Sequence, residues 1–324
     1  MNDLDNNKEF DEITLRELAA VIWLNKTLIV TFTTFAALAS VLYSLSLTNI
    51  YTAQTLIAPT TSSSSSGSLS QLGTLAAVTG INLSQSGSDN ELEVALKLVN
   101  SKKLLERLML YESFLPDLLA AKSWNMQTNT VTYDPALYDK KNNQWVRKVS
   151  LPFKQIPSSQ EAIKKFSGLI SISQDTRTAG LGRTRTHLLT LNVDHLSPVV
   201  AQQWSLWIVK EINAILANMQ IMKSQASIDY LNSQIKITPY SELRTMFYRL
   251  IQESTQSMML AEVNPEYVLT TIDPPVIPEM KSQPQRLPMC IAGTLLGGIL
   301  SVLIILVWKL VFSRMGGLDI LGLR

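Results

Sequence analysis

The sequence predicts an α+β domain held between two transmembrane helices. Three observations carry that expectation: twenty uncharged residues in a row from Leu28 to Leu47, twenty-one from Leu287 to Val307, and mixed strand-like and helix-like patterning between them. A helix of about 20 apolar residues spans the roughly 30 Å hydrocarbon core of a bilayer. Backbone groups in lipid must be satisfied within the segment, so each stretch is expected to be a helix. The expected layout is a cytoplasmic tail (1–27), a first span (28–47), a domain (48–286), a second span (287–307) and a second cytoplasmic tail (308–324).

Charge places the domain outside the cytosol. Arg16 and Lys26 precede the first span, and no Lys or Arg follows it until Lys97. Positive residues stay on the cytoplasmic side, so the N-terminus is read as cytoplasmic and the domain as exported. The second span is the weaker witness, because Lys281 and Arg286 precede it while Lys309, Arg314 and Arg324 follow. The rival reading of the first span is a cleaved signal peptide. Its length, its 27-residue leader and the poor cleavage site Ser44-Leu45-Ser46-Leu47-Thr48 stand against that.

The domain carries 22 Lys and Arg against 19 Asp and Glu, which leaves no basic field for nucleic acid. The single cysteine, Cys290, lies in the second span, so the domain must fold on its core without disulfides. The pattern suits a bacterial periplasm.

Along the domain, Ile50 to Ala58 (IYTAQTLIA) reads as a strand. The serine-rich run from Thr60 to Ser70 reads as a connector, and Leu72 to Ile81 as a short helix. Asp89-Asn90 is a candidate cap for a helix from Glu91 to about Leu110, with Leu92, Leu96, Val99, Leu104, Leu105 and Leu108 as its stripe. Tyr111 to Pro157 shows no period and is expected to be irregular, with short helices. Ser158 opens a short helix through Phe166. Leu169–Ser173 and His187–Val193 alternate and form a hairpin joined by Asp175–Thr186.

Ser197-Pro198 is a helix start, with a hydroxyl at the cap and proline in the first turn. No Pro or Gly follows until Pro239. A helix over 198–236 would run about 58 Å. Trp204, Ile208, Ile215, Met219 and Met222 lie along it at mostly three- and four-residue spacing. They are candidate residues for an oligomer face, with burial against the same domain as the other reading. Thr238-Pro239 ends that helix, and Ser241–Glu262 forms a second, with Leu243, Met246, Phe247, Leu250 and Ile251 on one side. Tyr267–Ile272 reads as a strand returning to the membrane and pairing antiparallel with the first.

Pro274, Pro275, Pro278, Pro284 and Pro288 make the 274–288 segment extended and stiff, a strut next to the second span. Within that span, Gly293 and Gly297 form G-x-x-x-G with Gly298 beside them, a spacing that lets two helices approach closely.

No catalytic constellation stands out. His187 and His195 are eight apart, neither a metal spacing nor a triad, and read as strand-surface residues. Gly180-Leu181-Gly182-Arg183 lacks the P-loop pattern and reads as a turn. Arg177, Arg183 and Arg185 make the hairpin loop basic, either solvated or facing an acidic glycan. No metal or cofactor is expected.

These features resemble the Wzz-type chain-length determinants, the class 1 polysaccharide co-polymerases. The resemblance lies in Ile13-Thr14-Leu15-Arg16-Glu17-Leu18 before Trp23 and the first span, in Arg244-Thr245-Met246-Phe247-Tyr248-Arg249-Leu250-Ile251 with Met259-Leu260-Ala261, and most specifically in Tyr267-Val268-Leu269-Thr270-Thr271-Ile272-Asp273-Pro274-Pro275-Val276-Ile277-Pro278 leading through Lys281 and Pro284. It implies a membrane-proximal α/β base with a long projecting helix. It implies a homo-oligomer ring of about eight protomers, acting with an inner-membrane polymerase on a growing lipid-linked glycan, commonly lipopolysaccharide O-antigen. It implies no enzymatic activity. The larger co-polymerases add a cytoplasmic tyrosine kinase, whose P-loop and tyrosine cluster this sequence lacks. The alternatives are a two-span periplasmic sensor, which needs a larger output domain than the sixteen or so residues after the second span, and a polysaccharide export component.

Overall fold

The computed structural model describes residues 23–60, 88–179 and 182–314. The Thr60–Ser70 connector beyond Thr60, the expected helix at Leu72–Ile81, the Ile13–Leu18 motif and Gly180-Leu181 lie outside them. The chain divides into two compact units: one made of the terminal segments through Asn49 and from Gln283, the other of Ile50–Ser282.

The first unit is a helix pair, α1 (Lys26–Ser46) and α8 (Arg286–Arg314). Both are long and apolar enough to cross a membrane. Each begins one or two residues earlier than the uncharged stretch inside it, and α8 runs seven residues past Val307. Charged residues therefore extend the helices rather than end them. Pro288 sits in the first turn of α8, where its missing N–H would have no intrahelical partner. It belongs to the helix and not to the extended segment in which the sequence placed it. The hydroxyls of Thr33 and Thr34 donate to carbonyls four residues back at 2.7 Å, satisfying themselves within α1. Arg286 donates to the Asn49 side chain at 3.1 Å.

The second unit is built on a four-stranded antiparallel sheet in the order β6–β7–β1–β8. It contains β1 (Tyr51–Pro59), β6 (Ile170–Ala179), β7 (Gly182–His195) and β8 (Leu269–Asp273). Tyr51 faces His195 and Ile57 faces Leu189 across β1 and β7. The pairing of β1 with the returning strand β8 is present, from Pro59 opposite Leu269 to Leu56 opposite Asp273 with a bulge at Leu56/Ile57. The β6–β7 hairpin is longer than its alternating cores predict. The polar Asp175–Thr186 stretch, expected as a connector, continues the ladder to Ala179 opposite Gly182. Backbone pairing does not require side chains to alternate, so the ladder continues where the sequence pattern stops.

Helices cover one face. α2 (Ser88–Val99) and α3 (Lys102–Leu108) replace the single expected helix. The break falls at Ser101, whose Oγ accepts from the Leu104 amide at 3.2 Å and caps α3. A helix already under way at Ser88 also removes Asp89-Asn90 from the cap position. The aperiodic stretch holds α4 (Phe114–Leu119) and two small hairpins, β2 (Ala121–Asn125) with β3 (Thr130–Tyr133), and β4 (Tyr138–Asp139) with β5 (Gln144–Trp145). Strands of two to five residues are too short for a period to show. α5 (Ser159–Phe166) is capped as expected by Ser158.

The long helix α6 (Pro198–Ile237) starts at Ser197, whose Oγ accepts from the Val200 amide. Its first half lies on the sheet, burying Trp204, Ile208, Ile212 and Leu216 with Phe114, Phe166, Ile57 and Leu189. A hydroxyl pair, Thr55 with Ser205 at 2.5 Å, replaces apolar contact where strand and helix approach closely. Asn213 is the polar pin of this core: its Oδ1 accepts from the amides of Val268 and Leu269, and its Nδ2 donates to the Leu269 carbonyl at 2.8 Å. Beyond Leu216 only Ser224 and Leu231 of α6 are buried. About 30 Å of helix therefore leaves the sheet and packs against α7 (Ser241–Val263).

Candidate functional site

The glycines of α8 meet the small residues of α1. A side chain at Gly293 would collide with Ser40, and one at Gly297 with Ala36. At Gly298 a Cβ would lie 3.9 Å from Thr33. Ser40 itself donates to the Met289 carbonyl at 3.3 Å. Thr33, Ala36 and Ser40 are spaced by three and four, so they form one stripe on α1. The sequence singled out the glycines without their partners, although that stripe was readable.

The prolines divide. Residues 274–285 form no helix, in line with their proline content. Pro275 is buried, and its carbonyl accepts from Gln202 Nε2 of α6 at 2.9 Å, tying the segment to the domain. Pro274 is exposed and Pro278 half-buried. At the far end Ser282 donates to the Ile50 carbonyl at 2.9 Å and its Oγ accepts from the Thr52 amide at 3.2 Å. Pro284 belongs with the helix pair.

The five residues named as an oligomer face do not share a surface. Trp204, Ile208 and Ile215 are inside the domain core, because the sheet covers the half of α6 that carries them. Met219 and Met222, past the end of that cover, are exposed. The larger exposed apolar surface is on α7, where Ala261 alone is buried. Leu243, Met246, Tyr248, Met259 and Leu260 all face solvent. The sequence placed Leu243 and Met246 on one side of a helix. It did not show that α6 covers so little of that helix.

His195 is buried rather than on the strand surface. Its Nδ1 accepts from the Ser197 amide at 3.0 Å, so Nε2 bears the hydrogen and donates to the Asp117 carbonyl at 3.2 Å. Burial pushes its pKa down to about 4, with Lys165 adding to the shift and the Nε2–H bond to the Asp117 carbonyl opposing it. Burial also raises the Asp117 carboxyl, against the Tyr133 hydroxyl that donates to it at 2.6 Å. This network joins β7, α4 and β3 and offers no open face to a substrate. The side chains of His187, Arg177, Arg183 and Arg185 lie outside the described residues. Among the described residues no group of three or more His, Cys, Asp or Glu side chains could hold a metal ion.

Comparison with known proteins bears on the N-terminal third of the chain. Residues 11–110 match the family model described as Wzz, chain length determinant protein. The match takes in the Ile13–Leu18 motif, α1 and β1, and the resemblance to that family is shown over those residues. Among solved structures, a full-length bacterial polysaccharide co-polymerase is 13% identical, with 93% of this chain and 99% of that one covered, at a TM-score of 0.34. A fragment of WzzB, a polysaccharide co-polymerase from Salmonella Typhimurium, is 10% identical over 72% of this chain and 100% of that one, at a TM-score of 0.29. No curated protein sequence matches.

Proposed function

We propose that this chain is a non-catalytic regulator of polysaccharide chain length, with lipopolysaccharide O-antigen as the glycan. The match of residues 11–110 to the chain length determinant family is the observation that carries the reading. On it, α1 and α8 are the two passes through the bacterial inner membrane, 1–27 and 308–324 are cytoplasmic, and 48–286 is periplasmic. By the resemblance to that family, the sheet is the α/β base of the domain, and the outer half of α6 with α7 projects from the sheet.

The exposed apolar residues of α7 support an oligomer. A monomer would leave Leu243, Met246 and Met259 in water on an otherwise well-formed helix. A ring of about eight protomers would cover them and set a fixed geometry beside a membrane polymerase and its lipid-linked glycan. Gly293, Gly297 and Gly298 would hold each protomer's spans together, and the 274–284 segment would set the domain's height.

Deleting the gene and running the cell's glycan on a gel tests this. The expected result is loss of the modal band cluster, restored by the gene in trans. A ladder unchanged by the deletion would overturn the proposal.

A further inference from the structure

Two surfaces of the domain are opposite in charge, and both expose apolar residues. The first is the loop 148–156, within the insert between α4 and α5. All nine of its residues are exposed, and Leu151, Ile156 and Phe153 are 93%, 64% and 55% accessible. The loop is stapled at its base. Arg147, with a side chain only 8% accessible, makes a two-pronged ion pair with Glu161 of α5. It also donates to the carbonyls of Lys154 (2.5 Å) and Gln155 (2.8 Å). Between residues 121 and 157 six Lys and Arg stand against two Asp. The anchoring helix α5 leads directly into β6, one edge of the sheet.

The second surface flanks β8, the other edge. From Leu250 to Met280 there are five acidic residues and no Lys or Arg. Val263 and Ile272 of this stretch are exposed, as is Leu206 on α6. Between α6 and β8 lies a cavity of about 370 Å³, with Leu206, Val209, Pro265 and Pro275 as apolar lining and Lys210 and Glu266 as its charged residues. Other polar groups of the lining are already spent. Thr55 and Ser205 bond to each other, and Asn213 holds Val268 and Leu269. Glu266 accepts from the Thr271 amide at 3.2 Å. Such a hollow takes an apolar side chain more readily than a polar ligand, which would leave its own water for few new bonds. The Asn213 and Glu266 contacts also occupy amides of β8 that an added strand would need. A partner must therefore arrive by its side chains.

A fixed cluster of large apolar residues in water calls for a cover. Opposite charge on two different patches of one chain favours a head-to-tail contact, which repeats from copy to copy and can close a ring. We propose that the 148–156 loop of one protomer docks at the β8 edge of the next. Its apolar tip enters the cavity between α6 and β8, and Lys148 and Lys154 face the acidic stretch that includes Glu262. The proposal rests on the oligomer reading above and names one pair of surfaces that would build it.

The test uses the full chain in a Cys290→Ala background, with two differently tagged copies made in one cell. One copy carries Leu151→Cys and the other Leu206→Cys, and the membranes are oxidised. A disulfide-linked dimer bearing both tags is expected, with little linkage between copies of the same variant. Lys154→Glu in the first copy should lower the yield about fivefold, and Glu262→Lys in the second should restore it. A multi-chain particle without the mixed link would overturn the docking and leave the oligomer reading standing. If the thiol at 151 in that particle were also closed to a water-soluble maleimide, a different partner would be its cover. Linkage of 151 to 151 instead, or a mixed link indifferent to both charge changes, would overturn the docking as well. A particle of one chain would bring down the oligomer reading and the docking with it.

Discussion

Ser40 of α1 occupies the space that a side chain at Gly293 of α8 would need, and its hydroxyl donates across the pair to the Met289 carbonyl. Two helices with apolar surfaces gain nothing from hydrophobic burial in lipid, so close backbone approach and a few polar contacts must hold them. Gly297 against Ala36 and Gly298 against Thr33 extend the same contact over more than one helical turn.

Gly297→Leu should therefore separate the helices, because the colliding atom is the Cβ of Ala36, which has no rotamer to escape into. A Thr33→Cys/Gly298→Cys pair in a Cys290→Ala background reports the distance. Rapid disulfide formation is expected with Gly297 in place, and slow or absent formation with leucine there. Equal rates would show that this packing does not depend on the glycine.

His195 makes the domain acid-sensitive. Its pKa is depressed in the folded state, so the unfolded chain binds the proton first as pH falls below 6.5. Stability should fall from there to about pH 4 and then level off, by on the order of 3 kcal/mol. Protonation also takes from Nδ1 the lone pair that receives the Ser197 amide. Asp117 acts with the opposite sign: its raised pKa gives stability present below the unfolded value and lost as pH rises through the folded one. Thermal melts of the protein and of His195→Asn across pH 4–7 separate the two. The variant should be less stable near neutral pH and much less pH-dependent.

Asn213→Ala should cost about 3 kcal/mol, because it orphans two amides and one carbonyl of the segment entering β8. Hydrogen exchange at Val268 and Leu269 should rise by a larger factor than at Leu191 in the sheet interior. Uniform change across the sheet would show that Asn213 acts through global stability alone.

On α7, Met246→Glu and Met259→Glu place charge on residues that face solvent in the protomer. Circular dichroism and the melting temperature of the protomer should stay close to the parent, while the mass of the solubilised particle drops. An unchanged mass would show that assembly uses another surface.

The sequence made legible whatever repeats with a period or carries a strong cap. The two long apolar helices, the Ser197-Pro198 start, the 40-residue α6 and the β1–β8 pairing all belong to that class. What escaped depends on distant partners. A single polar residue, Asn213, looks unremarkable in a helix until two strand amides are found on its oxygen. His195 looked like a surface strand residue, because nothing local reveals that α4 brings a carbonyl to its ring. The division of α6 between a sheet-covered half and a projecting half is also non-local, so Trp204 and Met222 share a stripe in sequence but not a surface in the fold. The 147–156 segment carries no periodic signal, and the Arg147 contacts with Glu161 and with the Lys154 and Gln155 carbonyls were likewise out of reach.

The account depends most on protomers covering one another's α7. The mass of the intact particle in mild detergent, with detergent subtracted, tests this directly against the 36.1 kDa chain. A discrete closed oligomer of several chains is predicted, dissociating when α7 carries Met246→Glu and Met259→Glu. A stable particle of one chain would contradict it.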